Sequence, residues 1–167
     1  MRIRLTAGQA VFLHGFWSPK RTLSWADILA EETLTMRRLL DANLSLVSLH
    51  QLQPDAGAWV RAKRVALPDC PLMVPWGAHP IRDFGAELGD IVNVKWPVGT
   101  MVAMGLTYAD LEDAGLCVAN MRLFTDIRLL GWAQLGLSRA HVVDVPEPTL
   151  IKLFGLSKFD VIRSLSR

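Results

Sequence analysis

The sequence predicts a mainly α protein. Its short stacked helices are joined by Gly-Leu-Ser/Thr turns, with a small β-containing, proline-rich insert. Three observations carry this expectation. The hexapeptide Leu-[Ser/Thr/Cys]-x-x-x-[apolar] recurs along the chain: LSWADI from Leu23, LTMRRL from Leu34, LSLVSL from Leu44, LTYADL from Leu106, LCVANM from Leu116, LSRAHV from Leu137 and LSKFDV from Leu156. Glycine precedes the last four copies, at Gly105, Gly115, Gly136 and Gly155, and Asn43 precedes the third. The starting points Leu23, Leu34 and Leu44 are 11 and 10 residues apart, as Leu106 and Leu116 are 10 apart; Leu116, Leu137 and Leu156 are 21 and 19 apart, close to twice that period.

Each position has a physical task. Gly and Asn most readily take the left-handed conformation that ends a helix. The leucine packs back on the helix just left. The Ser or Thr oxygen accepts an orphan backbone N–H and starts the next helix, worth about 1 kcal/mol per cap. Asp27, Asp110 and Asp160 stand three residues after the cap and complete a capping-box-like [ST]-x-x-[DE] pattern, followed by apolar Ile28, Leu111 and Val161. A ten-residue unit holds about two helical turns and a corner. Such a helix is too short to persist alone and must stack on its neighbours.

The elements follow in order within one domain, 1–167. A first helical block covers 22–66. The insert, 67–97, carries five of the nine prolines. Within it DIVNVKW alternates and is β-branched, which predicts a strand, and IRLTAGQAVFLHGFW near the N-terminus is its expected pairing partner. The second helical block covers 98–167, with degenerate copies expected near Thr125 and Thr149 to fill the double spacings.

The ten-residue pattern of glycine, apolar residue, Ser or Thr, and short helix resembles the short helical repeats in structural proteins of large DNA viruses. It spans roughly 80–100 residues in the two blocks. That resemblance implies a structural or interaction role and supplies no catalytic residues. Single turns also resemble helix-turn-helix motifs.

Composition agrees with a packed chain that has apolar surface to spare. Half of the 167 residues are hydrophobic (51%), and six are tryptophan. Low hydrophobicity and high charge, the signature of disorder, are missing. The net charge of +2 is small for a dedicated nucleic-acid binder. The four histidines are scattered without metal-ligand spacing. Cys70 and His79 stand nine apart with no second pair, which predicts a thiol and a surface histidine and no metal. There is no phosphate-binding glycine loop or nucleophile elbow. The expectation is a non-enzymatic protein without cofactors.

Its partners are then other protein subunits of an assembly. Trp76 and Trp96 lie in the Pro/Gly-rich insert and are the expected aromatic contacts. The expected role is a minor virion (capsid) component bridging other subunits. The alternative is a helix-turn-helix DNA-binding protein using residues 149–167, with Lys158, Arg163 and Arg167 meeting phosphates or bases. Asp160 is awkward for that reading. So is the helix after Leu106, whose Asp110, Glu112 and Asp113 cannot enter a phosphate-lined groove although the same turn introduces it. Gly8, Gln9, His14 and Gly15 interrupt any N-terminal signal-like run, and no stretch approaches the ~18 apolar residues of a membrane span. The expected location is a virion or the cell interior, not secreted.

Overall fold

A computed structural model describes residues 1–14 and 21–167. They are mainly helical, with thirteen α-helices, two 3-10 segments and one two-stranded sheet among them. The α-helices run from four to eight residues. The chain divides into two compact units, Met1–Ala78 and His79–Arg167, so the division falls inside the 67–97 insert.

In the first unit β1 (Arg2–Arg4) pairs antiparallel with β2 (Thr22–Ser24), Ile3 opposite Leu23. The helices are α1 (Ala7–His14), α2 (Trp25–Ala30), α3 (Met36–Asp41), α4 (Leu46–Leu52) and α5 (Ala56–Arg61), followed by the 3-10 segment Leu67–Trp76. The second unit holds α6 (Pro80–Phe84), α7 (Leu88–Val94), α8 (Val98–Ala103), α9 (Tyr108–Asp113), the 3-10 segment Val118–Leu123, α10 (Leu129–Leu135), α11 (Arg139–Val142), α12 (Glu147–Phe154) and α13 (Lys158–Leu165).

All seven copies of the hexapeptide start a helix with their second residue at the N-cap: Ser24, Thr35, Ser45, Thr107, Cys117, Ser138 and Ser157. Reciprocal capping boxes tie Ser24 to Asp27 and Thr107 to Asp110. The leucine before the cap and the apolar residue at the fourth helical position are the two ends of a hydrophobic staple. Both ends are buried in six copies, from Leu23 and Ile28 to Leu137 and Val142; in the seventh, Val161 is buried and Leu156 half-buried.

The corners have a shared geometry. Gly105 and Gly136 sit at φ 75° and 109°. The N–H of the following leucine returns to a carbonyl five residues back, Leu106 to Met101 at 3.1 Å and Leu137 to Trp132 at 2.9 Å. That is the long bond of a Schellman C-cap. Leu44, Arg64, Ala78 and Leu116 make the same bond, to Leu39, Trp59, Met73 and Leu111.

The insert departs from expectation. DIVNVKW is not a strand: its residues 90–94 lie in α7, and the β1 partner is Thr22–Ser24. The physical reason lies at its ends. The Glu87 and Asp90 side chains form a capping box in place of a Ser or Thr box, and Lys95 takes the left-handed corner at φ 59°. Local β-propensity yields to those caps and to burial of Ile91 at the fourth helical position. The N-terminal stretch is likewise strand only at Arg2–Arg4 before turning into α1, and its residues 15–17 lie outside the described ones. The proline-rich run 67–76 winds as a 3-10 segment, with Pro71 and Pro75 inside it. Pro80 opens α6 and Pro97 caps α8.

The insert thus carries disguised copies of the repeat. Gly77-Ala78-His79, Gly85-Ala86-Glu87 and Lys95-Trp96-Pro97 each place a left-handed residue, a buried residue and a cap in succession. Helices also fill the two double spacings, but Thr125 and Thr149 do not start them. Arg128 and Pro146 hold the cap positions, and Thr149 is the third helical residue of α12.

Arg64 occupies the leucine slot after left-handed Lys63 and is the buried charged residue of the described core, 8% exposed. Its guanidinium donates to the carbonyls of Ile28 (3.0 Å), Leu29 (3.2 Å) and Ala62 (2.9 Å). Two of these are orphan carbonyls at the end of α2, so a cation there also meets the negative end of the helix dipole.

Candidate docking groove

The second helical position faces solvent through most of the repeat. It is small at Ala26, Gly89, Gly99, Ala109, Ala119 and Ala140, all exposed. Three helices break the pattern with an exposed large apolar side chain: Val47 in α4 (67% exposed), Leu130 in α10 (71%) and Phe159 in α13 (72%). Hydration of such side chains is unfavourable, and a partner that covered one would remove apolar area from water.

Leu130 also lies in a concavity. A groove of about 830 Å³ in the second unit is lined by Ile127, Leu130, Phe154 and Leu156, with Arg128 and Arg167 as its charged residues. Its floor follows from α8 packing against α10. Gly131 permits that approach: a Cβ built there would sit 2.6 Å from Val98 Cγ1. On α10 the residues Leu129, Trp132 and Leu135 face inward, which leaves Leu130 on the outer face. The Trp132 indole donates to the Asp126 carbonyl at 2.9 Å, and its ring meets Phe124 edge-on at 5.0 Å.

Asp126 braces one end of the groove. Its carboxylate accepts from the Val98 N–H (3.0 Å) and from the Arg128 guanidinium (2.8 and 2.7 Å). The Arg128 hydrogen bonds first, and the Val98 N–H second, hold its carboxyl well below the usual carboxylate range.

The expected contact residues are placed differently. Trp96 is 8% exposed because it fills the leucine slot of a repeat corner, so it is a packing residue and offers no aromatic anchor to a partner. Trp76 belongs to the first unit and is half-buried, its ring 5.3 Å from His50 and 6.2 Å from Trp59. The expected nucleic-acid residues lie at the end of the second unit. Lys158 is half-buried, and its backbone N–H donates to the Glu147 carboxylate at 3.1 Å. Arg163 and Arg167 are exposed, and Arg167 lines the groove. Asp160 is exposed beside them, its carboxylate accepting the Ser157 hydroxyl at 2.7 Å. The second unit carries nine basic and ten acidic residues, against nine and six in the first. Leu130 was missed in the sequence; the signal was a large apolar residue at the second helical position, where six helical segments of the repeat keep Ala or Gly.

A smaller cavity of about 320 Å³ gathers Tyr108, Glu112, Cys117 and His141. These residue types suit nucleophilic chemistry, but His141 is already employed. Its Nδ1 accepts the Ser138 N–H at 2.9 Å as part of a capping box, which leaves Nε2 to carry the proton 4.0 Å from Glu112. Its ring packs on Tyr108 at 4.5 Å. Burial first, then the nearby Glu112 and Cys117, pushes the Tyr108 hydroxyl up to about 12. Among the described residues no three His, Cys, Asp or Glu side chains come together as a metal site, and Cys70 is buried while Cys117 is exposed. No described helix is long and apolar enough to cross a membrane.

Comparison with known proteins finds no matching family model, no matching curated protein and no matching solved structure.

Proposed function

We propose that this protein is a non-enzymatic structural subunit of a larger assembly, a minor virion (capsid) component that bridges other subunits. The observation that carries the reading is Leu130, 71% exposed on the rim of an 830 Å³ apolar groove held in shape by Gly131 and Asp126. The occupant is an apolar segment of a neighbouring protein subunit with a carboxylate at its edge, because Arg167 is exposed in the groove's lining while Arg128 is already paired with Asp126. The virion setting rests on the resemblance of the ten-residue helical repeat to those of large DNA virus structural proteins. Short helices that gain stability only by stacking suit such a brick, since a neighbour can extend the stack.

A photo-crosslinking residue placed at Leu130 in the native particle or cell tests this. The reading expects recurrent cross-links to one segment of one partner subunit, abolished by Leu156→Glu. Cross-links confined to this chain, with the protein monomeric in its native setting, would reject it.

DNA binding through residues 149–167 keeps one supporting observation: α12 and α13 meet at a left-handed Gly155 (φ 69°) with Arg163 exposed on the second helix. A mobility shift at two salt concentrations separates the readings. Tight, salt-sensitive binding lost in Arg163→Ala and Lys158→Ala would favour DNA. No shift at low salt would remove that reading.

A further inference from the structure

The first unit contains a cup of about 180 Å³ lined by Thr35, Arg37, Lys63, Arg64, Val65, Ala66 and Asp69. This is room for several waters, or for one tetrahedral oxyanion with a little solvent. Three cations and one carboxylate line it. The carboxylate is spoken for, because Asp69 pairs with Arg37.

Arg64 is the informative member. It is more than nine-tenths buried, yet three carbonyls are its hydrogen-bond partners and, among the described residues, no carboxylate pairs with it. The carbonyls and the negative end of α2 orient the guanidinium and offset its charge only in part, and a buried cation gains strongly from a full countercharge. Three of its five N–H donors are used by those carbonyls. Lys63, in the adjacent left-handed position, is exposed and has no carboxylate partner among the described residues either. Val65 and Ala66 also line the cup, and neither backbone N–H has a protein acceptor among the described residues. Successive free N–H groups beside cations are the usual furniture of an oxyanion site.

We propose that this cup binds a single phosphomonoester group. A dianion matches the surplus of two positive charges in the lining, and the cup's size admits the tetrahedral head rather than a nucleic-acid backbone running through it. The Val65 and Ala66 N–H groups and the Lys63 ammonium donate to the phosphate oxygens, and Arg64 adds a buried positive charge whose own donors stay on the Ile28, Leu29 and Ala62 carbonyls. The site is independent of the docking groove, which lies in the other unit.

The test is a ¹⁵N-resolved NMR titration of the whole chain at constant ionic strength, with inorganic phosphate and then dimethyl phosphate. Saturable shifts confined to the amides of residues 35–37 and 63–66 are expected, with dimethyl phosphate at least about tenfold weaker. Lys63→Gly should weaken phosphate binding by about tenfold while keeping the fold, since glycine suits the φ of 57°. Asp69→Asn should tighten it by removing the competing carboxylate. Shifts that fail to saturate or spread through the unit, equal affinity in Lys63→Gly, or dimethyl phosphate binding as tightly would each overturn the proposal.

Discussion

Replacing Gly131 with alanine should destabilise the protein, although alanine is the better helix former. Gly131 lies inside α10, where Gly→Ala ordinarily gains about 0.8–1 kcal/mol. Here the new Cβ would fall 2.6 Å from Val98 Cγ1 and 3.2 Å from Val98 Cβ, well inside the ~3.5–4.0 Å of carbon contact. Overpacking of that kind costs about 1–3 kcal/mol, so the expected net loss is about 1 kcal/mol. Val98→Ala alone removes two methyl groups from a residue 1% exposed and should cost about 2 kcal/mol. In that background the 2.6 Å clash is gone and only the 3.2 Å approach to Cβ remains, so Gly131→Ala should turn from destabilising to neutral or stabilising by up to about 1 kcal/mol. The coupling across the cycle is therefore about 1–2 kcal/mol. Urea unfolding of the four proteins, followed by tryptophan fluorescence, measures it. If Gly131→Ala stabilises the protein equally with Val98 and with Ala at position 98, α8 and α10 do not approach as described.

Other perturbations probe different parts of the account. Arg64→Met should cost about 2–4 kcal/mol in chemical denaturation, because the carbonyls of Ile28, Leu29 and Ala62 lose their donor; a loss below about 0.5 kcal/mol would show that Arg64 does not cap α2. Asp126 should make the second unit acid-sensitive. Its carboxyl is held low in the folded state, so its contribution is complete above the unfolded value near 4 and disappears as pH falls through the lower folded value. Asp126→Asn should lower stability at neutral pH by about 1–3 kcal/mol and flatten the decline below pH ~4, read from urea midpoints across pH; an unchanged acid slope would contradict it.

Much of the architecture was legible because the repeat is written in backbone chemistry. Ser24, Thr35, Ser45, Thr107, Cys117, Ser138 and Ser157 all cap helices, and the left-handed positions at Asn43, Gly105, Gly115, Gly136 and Gly155 follow from residue type alone. The insert was misread because its copies use substitutes. Alanine stands for leucine at Ala78 and Ala86, tryptophan at Trp96, a carboxylate caps α7, and lysine takes the corner at Lys95. The spacing of Gly77, Gly85 and Lys95 to Gly105 kept the period where the residue types had lost it.

Sites were harder to read. Trp96 looked available because of its proline- and glycine-rich setting, but setting says nothing of register, and register buries it. Leu130 becomes conspicuous only once the helix start is known, since its neighbour Leu129 faces inward. Arg64 resembles any surface arginine in sequence. Its role depends on carbonyls more than thirty residues earlier, brought near by folding.

The central claim is that left-handed corners every ten residues or so hold the stack of short helices together. Thermal unfolding of Gly105→Ala and Lys95→Gly, side by side in the same unit, tests it most directly. The first forces a Cβ onto a backbone at φ 75° with open space around it, so any loss is conformational, about 1 kcal/mol; the second relieves φ 59° and should gain up to about 1 kcal/mol. Shifts of opposite sign are predicted, and melting temperatures that both stay unchanged or move the same way would contradict the account.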